Sequence, residues 1–208
     1  MTFITNPSTG RRLRSDGERS RRAILDASAR LATVEGLRGL TIGSLAAAIG
    51  MSKSGLYAHF GSKEELQLAT IEAAGEIFDA EVVSPAMATG TPLEQLRSLL
   101  ERFLRYVAGD VFPGGCFFAA AEAELDTHEG RVRERIAGFQ SGWMDQLVDL
   151  ASKAVQDGEL PRGEDPAQLA FELNALLLLA NSSWVMFHDA SAIDRARRGI
   201  ERRLGSAG

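Results

Sequence analysis

Residues 41–65 read TIGSLAAAIGMSKSGLYAHFGSKEE, and few backbones accommodate that order. Thr41 is a helix N-cap, and Leu45, Ala46 and Ile49 then fall on one helical face. Ala46 is small where a second helix must cross closely. Gly50 supplies the left-handed residue that ends the first helix, Met51 an apolar plug and Ser52 the cap of the next segment, SKSGLYAHF. Leu56 and Phe60, one turn apart, turn inward. That leaves Lys53, Ser54, Gly55, Tyr57 and His59 outward or near the N-terminal end. Two short helices joined by a glycine turn make a helix-turn-helix, whose second helix meets base edges and phosphates. The expected DNA-contacting set is Thr41, Ser52, Lys53, Ser54, Gly55, Tyr57, His59 and Lys63. Lys53 is the best placed for a guanine edge, and Gly55 for a close approach of backbone to DNA.

Charge is divided along the chain. The net charge is −5, yet residues 1–63 hold ten Lys or Arg against four Asp or Glu, while the remainder holds thirteen against twenty-four. A basic head on an acidic body directs a polyanion to one end and repels it from the other.

At 208 residues the chain is long enough for one or two domains. A single Cys excludes an internal disulfide and suits a reducing cytoplasm, and the polar, basic start has no apolar run of signal-peptide length. The most apolar stretch, LAFELNALLLLANSSWVMF, carries Glu172 and two Asn, so it reads as a buried helix and no membrane partner is expected.

The pattern is all-α. Residues 1–14 read as a disordered basic arm in which Arg11, Arg12 and Arg14 either reach a minor groove or are simply solvated. Ser15 or Asp16 caps a first helix with Ala23, Ile24, Ala27, Leu31 and Val34 inward, ending at Gly36. A three-helix DNA-binding domain thus spans residues 15–61. Ser62 and Glu65 form a capping box that opens a long helix, whose N-terminal amides and Lys63 suit a phosphate. Ser84-Pro85 is expected to end it. Residues 62–208 form a helical regulatory and dimerisation domain. Its elements are a helix after Thr91-Pro92, a short one after Pro113-Gly114-Gly115, a long one over 131–155, another from Asp165-Pro166 to about His188, and a last one over 192–204. Residues 176–179 are apolar on every side, so that helix needs covering on two sides, by its own domain and by a second subunit. One recognition helix reads too few base pairs to single out a site, which also calls for a symmetric pair on a palindrome.

The run SKSGLYAHFGSKEEL resembles the recognition helix and following helix start of the TetR family of bacterial transcriptional regulators. By motif the resemblance covers about residues 15–77; beyond that it rests on length and helical pattern. It implies that Tyr57, His59 and Lys63 hold DNA phosphates. It further implies a four-helix homodimer interface built from residues 166–188 and 192–204, and an inducer pocket for a small-molecule effector between the body helices. Apolar candidates for the pocket wall are Phe103, Tyr106, Phe117, Phe118, Phe139, Trp143, Met144 and Trp184; polar candidates are Cys116, Glu122, Asn181 and His188. Asn174 and Asn181, seven residues apart, either fix dimer register, make ordinary buried hydrogen bonds or face the pocket. Cys116 is either a redox-sensitive thiol at a helix N-terminus or an inert buried one.

The three His and the Cys are scattered at positions 59, 128, 188 and 116 without metal-ligand spacing, and no phosphate-binding glycine loop or nucleophile elbow is present. Neither an enzyme, a cofactor nor a metal is expected. The favoured function is a ligand-responsive repressor that binds a palindromic operator as a homodimer and is released by a small molecule. The alternative is an architectural or division-associated DNA-binding protein whose body binds other proteins.

Overall fold

The computed structural model describes residues 8–88 and 90–205, with side chains described from residue 17 onward. All regular structure among the described residues is helical: α1 (Ser8–Glu35), α2 (Ile42–Ile49), α3 (Lys53–Phe60), α4 (Lys63–Phe78), a π-helical segment (Asp79–Val83), α5 (Ser84–Met87), α6 (Pro92–Ala108), α7 (Phe117–Leu125), α8 (Arg131–Gln156), α9 (Pro166–Phe187) and α10 (Ala190–Leu204).

Helices α1 to α3 form the head. Helix α1 begins at Ser8, not at Ser15 or Asp16, so residues 8–14 are helical rather than a disordered arm. Extending an existing helix through good helix formers such as Arg costs little once the nucleus has formed. Residues 1–7 and the side chains of Arg11, Arg12 and Arg14 lie outside the described residues. The inward stripe of α1 is Ile24, Ser28, Ala29 and Ala32, whereas Val34 is 66% exposed and Ala23 is also outside. Buried Ser28 is satisfied by Thr70 of α4, their hydroxyl oxygens 2.7 Å apart. An unpaired hydroxyl there would carry a desolvation cost of about 1–3 kcal/mol.

Helix α4 belongs to both halves. Ser62 caps it by accepting from the Glu65 amide at 3.1 Å, but the reciprocal half of the expected capping box is missing. The Glu65 carboxylate instead takes the Arg131 guanidinium of α8 at 2.8 Å, and Glu64 takes it at 3.0 Å. Pro85 does not end the helical path. A proline has no N–H and crowds the carbonyl four residues back. The chain relieves this by widening into the π-helical segment, where the Ser84 amide bonds the Asp79 carbonyl five residues back, and α5 continues to Met87.

The body packs α6, α8, α9 and α10 around Leu96, Leu100, Leu104, Leu147, Leu173 and Leu177, each with no exposed surface. Helix α9 is apolar and long enough to cross a membrane, and Leu169, Leu173, Leu177 and Ala180 on one side of it are buried within the chain. The opposite stripe, Phe171, Leu179 and Met186, is 65–72% exposed. Head and body meet where α1 ends: Arg30 donates to the Asp110 and Val111 carbonyls, and the Gly114 amide donates to Thr33 Oγ1 at 3.2 Å. A Cβ on Gly114 would fall 1.9 Å from the Thr33 carbonyl oxygen, so only glycine allows this approach.

The far end of the body is closed by Arg203 of α10, which pairs with Glu164 at 2.9 Å and with Glu172 of α9. Hydrogen bonding from Arg203 holds the Glu164 carboxyl below the ordinary glutamate range, and Gln168 together with Arg203 does the same for Glu172. Folded values below unfolded ones mean that the stabilisation is complete at neutral pH and disappears as pH falls through the folded values. Replacing Arg203 with Met should therefore lower the thermal midpoint at pH 7 and bring mutant and wild type together in acid, once the pH is below the lowered carboxyl values, as read from melting curves from neutral to acid pH. A pH-independent difference would show that Arg203 acts through packing alone.

Candidate functional site

The head presents one helix almost bare. Helix α3 buries Leu56 and Phe60, while Lys53, Ser54, Tyr57 and His59 are exposed and Gly55 is partly so. Its position is set locally. Thr41 and Ser44 form a capping box on α2, Gly50 ends α2 with φ +67°, and Ser52 caps α3 by accepting from the Gly55 amide at 3.1 Å. Arg21 of α1 braces the other end, donating to the His59 carbonyl at 3.2 Å with its guanidinium 4.8 Å above the Phe60 ring. Thr41, Ser52 and Lys63 are exposed as well.

Several of these groups are already engaged within the head. Lys63 Nζ donates to the Arg38 carbonyl, so an incoming phosphate must share or displace that bond. Lys53 rests its aliphatic end on the first turn of α2, its Cε 3.4 Å from where a Gly43 Cβ would lie, so reaching a base edge requires it to swing away. The Ser52 and Ser54 hydroxyls lie 3.3 Å apart, and a Cβ on Gly55 would press to 3.1 Å from Ser52 Oγ. Absence of a side chain at Gly55 therefore serves the cap as well as any close approach.

The body holds a cavity of about 30 Å³ between α4, α6, α7, α8 and α9. Of the candidate wall residues, Phe103, Cys116, Phe118, Phe139 and Trp143 line it. Phe139 stacks on Phe118 with centroids 4.4 Å apart, and Phe78 meets Trp143 edge-on at 5.4 Å. Asn174, for which the pocket is one of the expected positions, also lines the cavity, and Phe78, Ala119, Gln140 and Leu178, which the sequence does not single out, complete the wall. A stripe of leucines hides Leu178, and nothing local marks Phe78 as the last residue before a π-helical segment.

The other candidates stand elsewhere. Phe117 is core, and Met144 is partly buried against it without reaching the cavity. Tyr106 lies one layer behind, its buried hydroxyl near the Phe117 amide without a hydrogen-bonding partner among the described residues; burial pushes its pKa up. Glu122 is outside, receiving the Gln140 side-chain amide; burial, and then Asp126, raise its pKa. Asn181 accepts the Cys116 amide at 2.9 Å within the chain. Trp184 meets His188 ring to ring at 6.1 Å, and His188 is the left-handed C-cap of α9. Asn174 accepts from Trp143 Nε1 at 3.0 Å, so the side-chain oxygen of each Asn makes a hydrogen bond within its own chain.

Cys116 occupies the N-cap position of α7, where the amides of Ala119 and Phe118 favour a thiolate. Burial outweighs them and pushes the thiol up to about 11, the direction that suits an inert buried thiol. Alkylation by iodoacetamide at pH 7 should be at least about a hundredfold slower in the native protein than in the unfolded chain. Equal rates would mean that the thiol is exposed or activated.

Residues 24–70 match the family described as bacterial regulatory proteins, tetR family, and residues 92–200 match the tetracyclin repressor-like C-terminal domain. A TetR transcriptional regulator from Chloroflexus aurantiacus J-10-FL is similar in structure, with TM-score 0.83, 24% identity and coverage of 91% of this chain and 96% of that one. AibR in complex with isovaleryl coenzyme A and operator DNA superposes with TM-score 0.72 at 26% identity, covering 90% and 99%. A cysteine mutant of the TetR-family regulator CifR, complexed with 26-base-pair operator DNA, gives TM-score 0.72 at 21% identity over 88% and 95%. No curated protein matches the chain. Helix-turn-helix head and helical body are each matched in their proper place, and the chain belongs to the TetR family of bacterial transcriptional regulators.

Proposed function

We propose that the protein is a cytoplasmic, ligand-responsive repressor that binds a palindromic operator as a homodimer and lets go when a small molecule enters the body cavity. The observation that carries this is α3, which buries two side chains and offers the rest to solvent beside an exposed Lys63. The AibR and CifR complexes with operator DNA support the reading for the head, and the bound isovaleryl coenzyme A of AibR supports an organic effector. A second copy of the chain is supported by the exposed Phe171, Leu179 and Met186 on α9, a stripe of the kind that subunit interfaces cover.

The cavity suggests how release works. Small-molecule sites usually measure about 300–1,000 Å³, whereas 30 Å³ holds little more than a water molecule. A ligand must therefore push the rings apart, and Phe139 is the ring with furthest consequences. One contact of Phe139 is with Phe118, another is the Arg135 guanidinium at 4.7 Å, and its edge lies over Gly75 of α4, where a Cβ would be 2.5 Å away. Arg135 in turn holds Glu72 of α4. Moving Phe139 displaces the helix that carries the head. Ligand then binds only the opened form, and that difference in affinity is what shifts the population. Operator DNA must weaken ligand binding by the same factor.

Sequencing the DNA fragments that the protein retains tests the reading as a whole: enriched inverted repeats are expected, and fragments without a shared motif would contradict it. The phosphate roles of Tyr57, His59 and Lys63 have a sharper test in the salt dependence of binding. Lys63→Ala in both subunits should reduce the slope of log K against log salt by about 1.8. An unchanged slope would remove Lys63 from the phosphate contacts.

A further inference from the structure

The loop between α1 and α2 has four backbone groups pinned from two directions. Glu124 of α7 accepts the Leu37 amide at 2.7 Å and the Arg38 amide at 2.8 Å, one on each carboxylate oxygen. The carbonyls of the same two residues are held from α4: Gln67 Nε2 donates to Leu37 at 2.6 Å, and Lys63 Nζ donates to Arg38. Gly36, with φ +81°, brings the loop against the carboxylate, and a Cβ there would lie 3.0 Å from Glu124 Oε1. Two residues beyond Arg38 the chain reaches Leu40, fully buried, and then the Thr41 cap of α2. The orientation of the helix-turn-helix is thus referred to three side chains, one of which belongs to the body.

Helix α7 also forms part of the cavity wall. Cys116, at its N-cap, and Phe118 and Ala119, in its first turn, line the cavity, and Ala121 and Leu125 bury the same helix in the core. Ala119 and Glu124 are five residues apart on one short helix, about 7.5 Å along its axis. A helix of this length moves as a unit, so a shift of its cavity end is delivered to the carboxylate. At the other side of the loop stands Lys63, a phosphate-contact candidate whose ammonium is shared with the Arg38 carbonyl.

We propose that Glu124 is a positioning residue for operator recognition: its carboxylate fixes the reading head on the body and carries displacement of α7 to the α1–α2 loop. This rests on the DNA-reading function proposed above. The carboxylate is suited to the task because both of its oxygens face amide donors. Glutamine is nearly the same shape but turns an NH₂ toward one of the amides, which puts donor against donor. A residue that merely packed would tolerate E124Q.

The test uses the duplex that the wild-type protein selects from a randomised library, rebuilt with its half-sites moved apart or together by one and two base pairs. Wild type should lose affinity steeply on either side of the selected spacing. E124Q should lose about tenfold at the selected spacing, tolerate the shifted duplexes nearly as well, and bind non-specific DNA as wild type does. Hydrogen exchange of the Leu37 and Arg38 amides should accelerate in E124Q while α8 and α9 stay protected. E124A, which leaves the two amides to water, should give the same flattened profile in milder form if E124Q does not fold. A wild-type spacing profile in either folded variant, or unchanged protection of the two amides, overturns the proposal. If wild type selects no duplex, the DNA-reading function itself is wrong and the proposal falls with it.

Discussion

Helix α4 is buried on two sides at once, and the relation of head to body depends on that double burial. Toward α1 it presents Thr70, bonded to Ser28; toward α8 it presents Gly75 beneath Phe139 and Phe78 against Trp143. A helix packed on both faces cannot slide freely, because close-packed interiors offer discrete arrangements instead of continuous ones. Arg131 and Arg135 of α8 add ion pairs to Glu64, Glu65 and Glu72 along the same helix. These pairs are half exposed, so their worth is in alignment more than in stability.

The body is consequently a packed core with a small void where aromatic rings fail to interlock. Edge-to-face contacts among Phe78, Tyr106 and Trp143 and the stack of Phe139 on Phe118 keep the void closed. Rings of this kind are large units with few degrees of freedom, and displacing one requires its neighbours to move as well. In the proposed function this is the source of the response: an effector that enters the void has to change the packing of α4 and α7, two of the elements through which the body touches the head.

How far the sequence is legible follows from how local each signal is. Caps and turns of the head are written within a few residues of where they act, so Thr41, Gly50 and Ser52 were readable, as were buried Leu56 and Phe60. Helix starts set by competition between neighbours were not: α1 runs back to Ser8 past two good caps, and Pro85 is absorbed by a π-helical segment. The cavity wall draws one to three residues from each of five helices, a grouping that periodicity on any one helix does not reveal. Asn174 and Asn181 were recognisably inward, yet their partners, Trp143 and the Cys116 amide, are 31 and 65 residues away. Glu124 looks like one acid among several on an exposed helix end. Only the fold shows that Leu37 and Arg38 lie against it, 87 and 86 residues earlier.

In the proposed function two reading heads act as one symmetric unit. Native mass spectrometry of the protein with its selected palindromic duplex, and with a duplex in which one half-site is scrambled, tests it most directly. Two chains, or an even number, should occupy the intact palindrome, and scrambling one half should release both members of a pair together. A single chain that stays on the remaining half-site with undiminished affinity would contradict the account.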